Sequence, residues 1–356
     1  MSKDNYEEYS GSLPDTQPPK DVVAYNELRS CADLYRLHKE GILDIKPDFQ
    51  RDVVWKLPDQ TVFIDSLIKQ LPIPSMCFSM DFNTQKWQVV DGLQRMNTIV
   101  SFLDDKEWRL SRRNDINSKI SGRTNLDIKN GDDESAILYR RIQNLSLPVT
   151  VIRCDLTKEN HTEYLFTIFH RLNSGGSRLN HQEIRNCIFS GPYNNFLRDL
   201  DQMPIWKIIK NLLPAKGARF RSIELILRFI SLSINEDNYS GNMPAFLNNY
   251  MREQRYADQN YRDGIKHIFI ESVTILLKAL DKTVNLRINY TLIETALIGI
   301  SFNLEDLSTA NDVHLGQLLT KLANSYEISS DTVKTDSTAT TNVKNRIAVA
   351  KKIFTI

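Results

Sequence analysis

At 356 residues, with 41% apolar and 25% charged side chains, the chain has the composition of a folded globular protein with a substantial core, not of a disordered one. Lys plus Arg number 45 and Asp plus Glu 44, so no global field draws it to a polyanion, and any nucleic-acid contact must come from a local patch. The four cysteines form no CxxC pair, which argues against a zinc knuckle or a small disulfide framework and leaves them as reduced core residues.

The first twenty residues, "MSKDNYEEYSGSLPDTQPPK", are polar and Pro-rich, with no apolar stretch to serve as a signal sequence. No run approaches the ~18 apolar residues of a membrane span. A cytoplasmic protein without a membrane partner is expected, with residues 1–22 as a flexible arm. From Tyr25 to Glu40, apolar residues at i, i+3 and i+4 predict an amphipathic helix that ends at Gly41. "KPDFQRDVVW" follows without a helical period. "DQTVFIDSLIKQL" then predicts a second helix, stopped by Pro72 and Pro74.

"SMCFSMDF" and "KWQVVD" read as two strands joined at Asn83-Thr84, and a helix from Gly92 to about Leu103 completes a strand-turn-helix unit. Residues 104–134 are polar and of mixed charge, with one short strand at Trp108 to Leu110, and read as a long loop or insertion. "LPVTVIRC" at 147–154 returns to the sheet. Beyond Leu156 the spacing is helical almost throughout, including "NHTEYLFTIFHRLNSGG", "NHQEIRNCIF", "FRSIELILRFISLSI" and a closing helix from about Thr341. The predicted division is an arm at 1–22, an α+β domain at 23–156 and a helical domain at 157–356.

The chemistry gathers at "VVDGLQRMNTI", residues 89–99. A strand that ends in Asp-Gly and turns directly into a helix leaves the first helical N–H groups pointing at the mouth of the turn. Such a terminus attracts phosphate through those donors and the helix dipole. Gly92 lets a ligand approach the backbone, Arg95 can clamp phosphate oxygens with its planar fork, and Asp91 can hold a metal, a ribose hydroxyl or a water. An Asp-Gly turn followed by a solvated surface helix accounts for the same residues without a ligand.

Three further stretches stand in order with this one: "PDFQRDVVW" at 47–55, "DSLIKQLPIP" at 65–74 and "FHRLNSGGSRLNHQEIRNCIFSG" at 169–191. Together they resemble the N-terminal domain family of GmrSD-type restriction endonucleases. That resemblance implies a ParB/sulfiredoxin-like α+β core with a small mixed sheet, followed by helices, and a DGQQR-type signature that binds and hydrolyses a nucleoside triphosphate, here with Mg²⁺. Residue by residue it implies nucleotide binding by Gln50, Arg51, Trp55, Asp91, Gly92, Gln94, Arg95 and Thr98, with Asp91, Gln94 and Arg95 carrying the chemistry. Phe49, Asn173, Glu183, Arg185 and Asn186 would support the site. Leu93 departs from the pattern, where relatives carry a Gln.

The resemblance further implies a GmrS-like component of a restriction or anti-phage defence system that controls a nuclease in a separate chain. The histidines beyond the 169–191 stretch, His267 and His314, do not make the His/Asn cluster of an HNH nuclease. No GxxxxGK(S/T) or HExxH occurs, and no compact carboxylate cluster points to a nuclease in this chain. The alternative is a non-catalytic, nucleotide-switched DNA-binding or sensor module. Arg109, Arg112, Arg113, Lys119 and Arg123 are the best local patch for DNA, although a solvated mixed-charge loop explains them as well.

Overall fold

The computed structural model describes residues 17–45, 55–104, 106–172, 180–214, 220–329 and 338–355. Phe49, Gln50, Arg51, Asn173, Gly175 and Gly176 lie outside them. The chain divides into two units, Asp15–Leu179 and Asn180–Ile356.

The first unit is built on a five-stranded mixed sheet of β1 (Val23–Ser30), β2 (Leu43–Asp44), β3 (Met76–Asp81), β4 (Trp87–Asp91) and β5 (Ser146–Cys154), in the spatial order β1-β5-β3-β4-β2. β1 runs antiparallel to β5, β5 parallel to β3, β3 antiparallel to β4, and β4 parallel to β2. Every residue of β3 is buried, as suits a central strand made mostly of sulfur and aromatic side chains. Helices α1 (Cys31–Lys39), α2 (Leu57–Ile68), α3 (Leu93–Leu103) and α5 (Asp133–Asn144) share one core with the sheet, centred on Leu34, Ile64, Phe78, Met96, Phe102, Ile142 and Val151.

The helix predicted from Tyr25 begins only at Cys31, because Val23–Ser30 pair in unbroken register with Arg153–Ser146. Ser30 then caps α1, its hydroxyl accepting the Asp33 N–H at 3.1 Å. Leu28 falls on the 3.6-residue extension of α1 and so mimics a helical position, yet on the strand it is 70% exposed.

The polar segment 104–134 is also not a loose loop. Its organiser is Asn125, fully buried at the start of the short α4 (Asn125–Lys129). Its Oδ1 accepts the Trp108 N–H at 2.7 Å, and its Nδ2 donates to the carbonyls of Phe102, Asp104 and Lys106 at 3.2, 2.9 and 3.1 Å. One amide thereby bonds four backbone groups of the segment. Thr61 and Asp65 of α2 accept the backbone N–H groups of Ser111 and Asn117, both at 2.9 Å, and tie the segment down.

Helix α6 (Glu159–Leu172) packs on β4 and belongs to this first unit, not to the helical one. His161 is not a surface residue of it: it is 2% exposed, its Nδ1 accepts the Asp155 N–H at 2.9 Å, and its Nε2 bonds Asp21 at 2.8 Å. Asp21, in the segment expected to be a free arm, is thus anchored, and Lys158 also bonds it. Lys158 and then His161 hold the Asp21 carboxyl down to about 2.

The second unit comprises α7 (His181–Ile188), α8 (Pro192–Gln202), α9 (Pro204–Leu212), α10 (Arg221–Asn235), α11 (Met243–Gln254), α12 (Gln259–Asp281), α13 (Tyr290–Ser301), α14 (Leu304–Ser308), α15 (Asp312–Ala323), α16 (Tyr326–Ser329) and α17 (Thr340–Phe354). Among the described residues no strand follows β5. Asparagine or aspartate side chains cap α7, α11, α12, α13 and α15, and proline opens α8, α9 and α11, which are the residue types that start helices. α13 is buried nearly all round and packs on α10, α12 and α17. Gly299 permits the closest approach, since a Cβ there would meet the Phe354 ring at 2.7 Å and the Ala350 methyl at 2.8 Å. No described helix is long and apolar enough to cross a membrane.

Candidate functional site

The β4–α3 turn is shaped by an irregularity in the sheet. Phe78 pairs with Val89 but Cys77 with Asp91, so β4 carries one extra residue just before it ends. A bulge of this kind increases local twist and re-aims the residues beside it. Gly92 follows with φ +97, the left-handed region that disfavours side chains. A Cβ there would lie 2.6 Å from Met76 Cγ, so the turn also needs glycine for space.

α3 starts without a side-chain cap, and its first internal bond is from the Met96 N–H to the Gly92 carbonyl. Among the described residues, nothing accepts from the N–H groups of Leu93, Gln94 or Arg95. Arg95 lies across this end of the helix. Its Nη2 donates to Asp91 Oδ2 at 2.8 Å and would sit 3.2 Å from a Cβ on Gly92, and its Nη1 bonds the Pro74 carbonyl. The Arg95 side chain is only 14% exposed against 42% for Asp91. Burial pulls the guanidinium below its usual pKa, and the Asp91 carboxylate opposes that. The cation is therefore held in a fixed pose by a strand end, a helix turn and the proline carbonyl that closes the loop after α2.

Gln94 joins the turn to a second motif, its Oε1 accepting the Trp55 N–H at 3.3 Å. Trp55 is half-buried, and its ring meets Phe63 of α2 at 5.5 Å. The two remaining motif positions face inward. Leu93 is 6% exposed and sits in the core, so its departure from the family pattern does not empty the mouth of the turn. Thr98 is fully buried and its hydroxyl donates to the Gln94 carbonyl at 2.8 Å, so it serves the helix and not a ligand. Cys77, opposite Asp91, is no nucleophile: burial, and then the Asp91 charge, push its thiol up to about 12.

Glu183, Arg185 and Asn186 have partners within the helical unit. Asn180 and Glu183 form the expected reciprocal cap of α7, at 2.9 and 2.8 Å. Arg185 is fully buried and bonds Gln182 at 2.8 Å and Glu224 at 2.5 Å, while Asn186 Oδ1 accepts from Gln182 at 3.0 Å. In the 104–134 segment, Arg113 pairs with Asp115 at 2.6 Å, and Lys119 with Asp132 and Glu134 at 2.8 and 3.1 Å. Arg109 donates to the Gly122 carbonyl at 2.8 Å and Arg123 to Ser135 at 3.2 Å, while Arg112 is exposed. A DNA phosphate would have to compete with these carboxylates.

Sequence reasoning missed Pro74 and Met76, which frame the turn from below. The "PIPSM" run reads only as a helix stop, and nothing local says that its carbonyl will meet Arg95. Chemically, the three helix-start donors, the glycine and a pre-set guanidinium with N–H groups to spare fit a phosphate. Among the described residues no three His, Cys, Asp or Glu side chains gather to hold a metal. Asp91 alone could supply a carboxylate, which suits Mg²⁺ bound mainly through substrate phosphates.

A protein-family model described as GmrSD restriction endonuclease, N-terminal domain, matches residues 31–190, from the start of α1 to just beyond α7. No curated protein and no solved structure matches the chain.

Proposed function

From the GmrSD restriction endonuclease N-terminal domain that residues 31–190 match, we propose that the chain is a component of a restriction or defence system, that its β4–α3 turn binds and hydrolyses a nucleoside triphosphate with Mg²⁺, and that this controls a nuclease supplied by another chain. The observation that carries the reading is the uncapped start of α3, where three N–H groups with no acceptor among the described residues and Arg95 converge beside Gly92.

In this reading the amides of Leu93, Gln94 and Arg95 cradle phosphate oxygens, and the helix dipole adds ~0.3–1 kcal/mol in favour of the anion. Arg95 keeps its bonds to Asp91 and Pro74 and offers its remaining N–H groups to the phosphates. Asp91 is the residue that would hold Mg²⁺, which would supply charge neutralisation on the phosphates when bound. Gln94, fixed by the Trp55 N–H, keeps its amide NH₂ for a ligand oxygen or an attacking water. Thr98 is left out of the site for the reason given above.

Release of inorganic phosphate from each of the four nucleoside triphosphates with Mg²⁺, with and without duplex DNA, tests the reading. Turnover, raised by DNA, is the expected outcome. Nucleotide binding without turnover would replace it by the switch-module reading, and neither binding nor turnover would remove nucleotides from the account.

A further inference from the structure

The pairing register carries the β4–α3 turn across the sheet. Asp91 pairs with Cys77, Cys77 with Thr150 and Thr150 with Asn26, and directly paired residues share a face, so the four form one row over β4, β3, β5 and β1. The row lies on the face opposite Met76, Phe78, Val149 and Val151, which sit in the core. At this end the face is open: Asn26 and Ser75 are exposed and Thr150 is half-buried. Three strand spacings put Asn26 about 14 Å from Asp91, the scale of an extended nucleoside triphosphate.

The row loses its charge as it leaves Asp91. Ser75 follows Pro74, whose carbonyl holds Arg95, and its Oγ lies 3.1 Å from Thr150 Oγ1. Thr150 in turn donates to Asn26 Oδ1 at 2.8 Å. Leu28 and Pro148 pair with each other two residues along on the same face and add an apolar surface, Leu28 being 70% exposed. The charged side chains of β1, Glu27 and Arg29, alternate onto the other face and bond each other.

Resting on the reading that phosphate sits on the turn, we propose that this uncharged stretch is the nucleoside subsite of the same ligand, and that the sugar it takes is ribose. Cys77, small and 7% exposed, leaves the phosphate chain room to cross from the turn. The two hydroxyl protons are already committed, that of Thr150 to Asn26 and that of Ser75 to the Met76 carbonyl at 3.1 Å or to Thr150. Their oxygens remain as acceptors, which suits the O–H donors of a ribose. With Oδ1 engaged by Thr150, Asn26 offers its NH₂ to ring acceptors of the base, and Leu28 and Pro148 cover the base's apolar face.

Titration calorimetry of the full chain with Mg-ribonucleoside triphosphates, their 2′-deoxy counterparts and inorganic triphosphate tests the subsite. The wild type should bind the ribose form about five- to tenfold more tightly than the deoxy form, the worth of one hydrogen bond. Thr150→Val should erase that preference and leave the affinity for inorganic triphosphate unchanged. Leu28→Ala, at an exposed position, should weaken nucleotide binding about threefold and likewise spare inorganic triphosphate. Equal affinity of the wild type for ribose and deoxyribose forms, or a Thr150→Val that weakens nucleotide and inorganic triphosphate alike, would overturn the proposal. Inorganic triphosphate bound as tightly as a nucleotide would remove the subsite and leave phosphate on the turn, whereas a wild type that binds neither would remove both.

Discussion

Arg95→Ala is expected to weaken nucleoside triphosphate binding by about 100-fold or more and to leave the fold in place. A hydrogen bond to a charged group is worth ~1.5–3 kcal/mol, and a guanidinium meeting phosphate through two N–H groups loses both at once. The stability side is small. Asp91, the partner left behind, is 42% exposed and can be rehydrated, so the lost pair costs the ~0–1 kcal/mol typical of such contacts. Arg95→Lys should recover only part of the affinity, because an ammonium cannot hold Asp91 and Pro74 while also forking onto phosphate. Titration calorimetry with each Mg-nucleotide, beside a thermal melt, reads both effects. Wild-type affinity in Arg95→Ala with an unchanged melt would show that the β4–α3 turn is not the site.

The largest expected effect on stability lies in the helical unit. Glu294, 2% exposed in the middle of α13, takes two bonds from Arg228 of α10 and lies 4.0 Å from the Arg346 guanidinium of α17. Arg228 and Arg346 are themselves 3% and 2% exposed. Assembling such a cluster gains little net stability, because desolvating the ions offsets their attraction, but removing one member leaves the others buried without that counter-charge. Glu294→Ala should therefore destabilise the helical unit by ~3–5 kcal/mol, read as a lowered urea midpoint for the helical signal. A loss below ~1 kcal/mol would mean that water or other groups already solvate these arginines.

How much of this was legible in the sequence follows from how local the cause is. The Asp-Gly turn, the strand before it and the helix after it were readable because turn chemistry and periodicity act over a few residues, and Asp91, Gly92 and Arg95 do come together there. The reciprocal cap of α7 was readable for the same reason. β1 was not, because Leu28 continues the spacing of α1 and only pairing with a strand some 120 residues away decides between the two forms. The 104–134 segment read as a loop because an asparagine in a polar run carries no sign that it will be buried and bond four backbone groups.

The site itself shows the same division. Motif membership grouped Gln94 and Thr98 with the ligand and marked Leu93 as the departure from the pattern, but helix geometry turns 93 and 98 into the core and leaves 94 at the mouth. The Trp55–Gln94 bond joins residues 39 apart, which the order of the motifs suggested and their spacing could not. Pro74 as a partner of Arg95 had no signal at all, since any residue type can present a carbonyl.

The central claim is that phosphate sits on the first amides of α3, and its most direct test is the movement of backbone amide resonances in the ¹⁵N-labelled chain as a Mg-nucleotide is added. The account predicts the largest shifts at Gly92, Leu93, Gln94 and Arg95, with the Arg95 side-chain N–H signals moving alongside them. Saturable shifts clustered elsewhere, with those four amides unmoved, would contradict it.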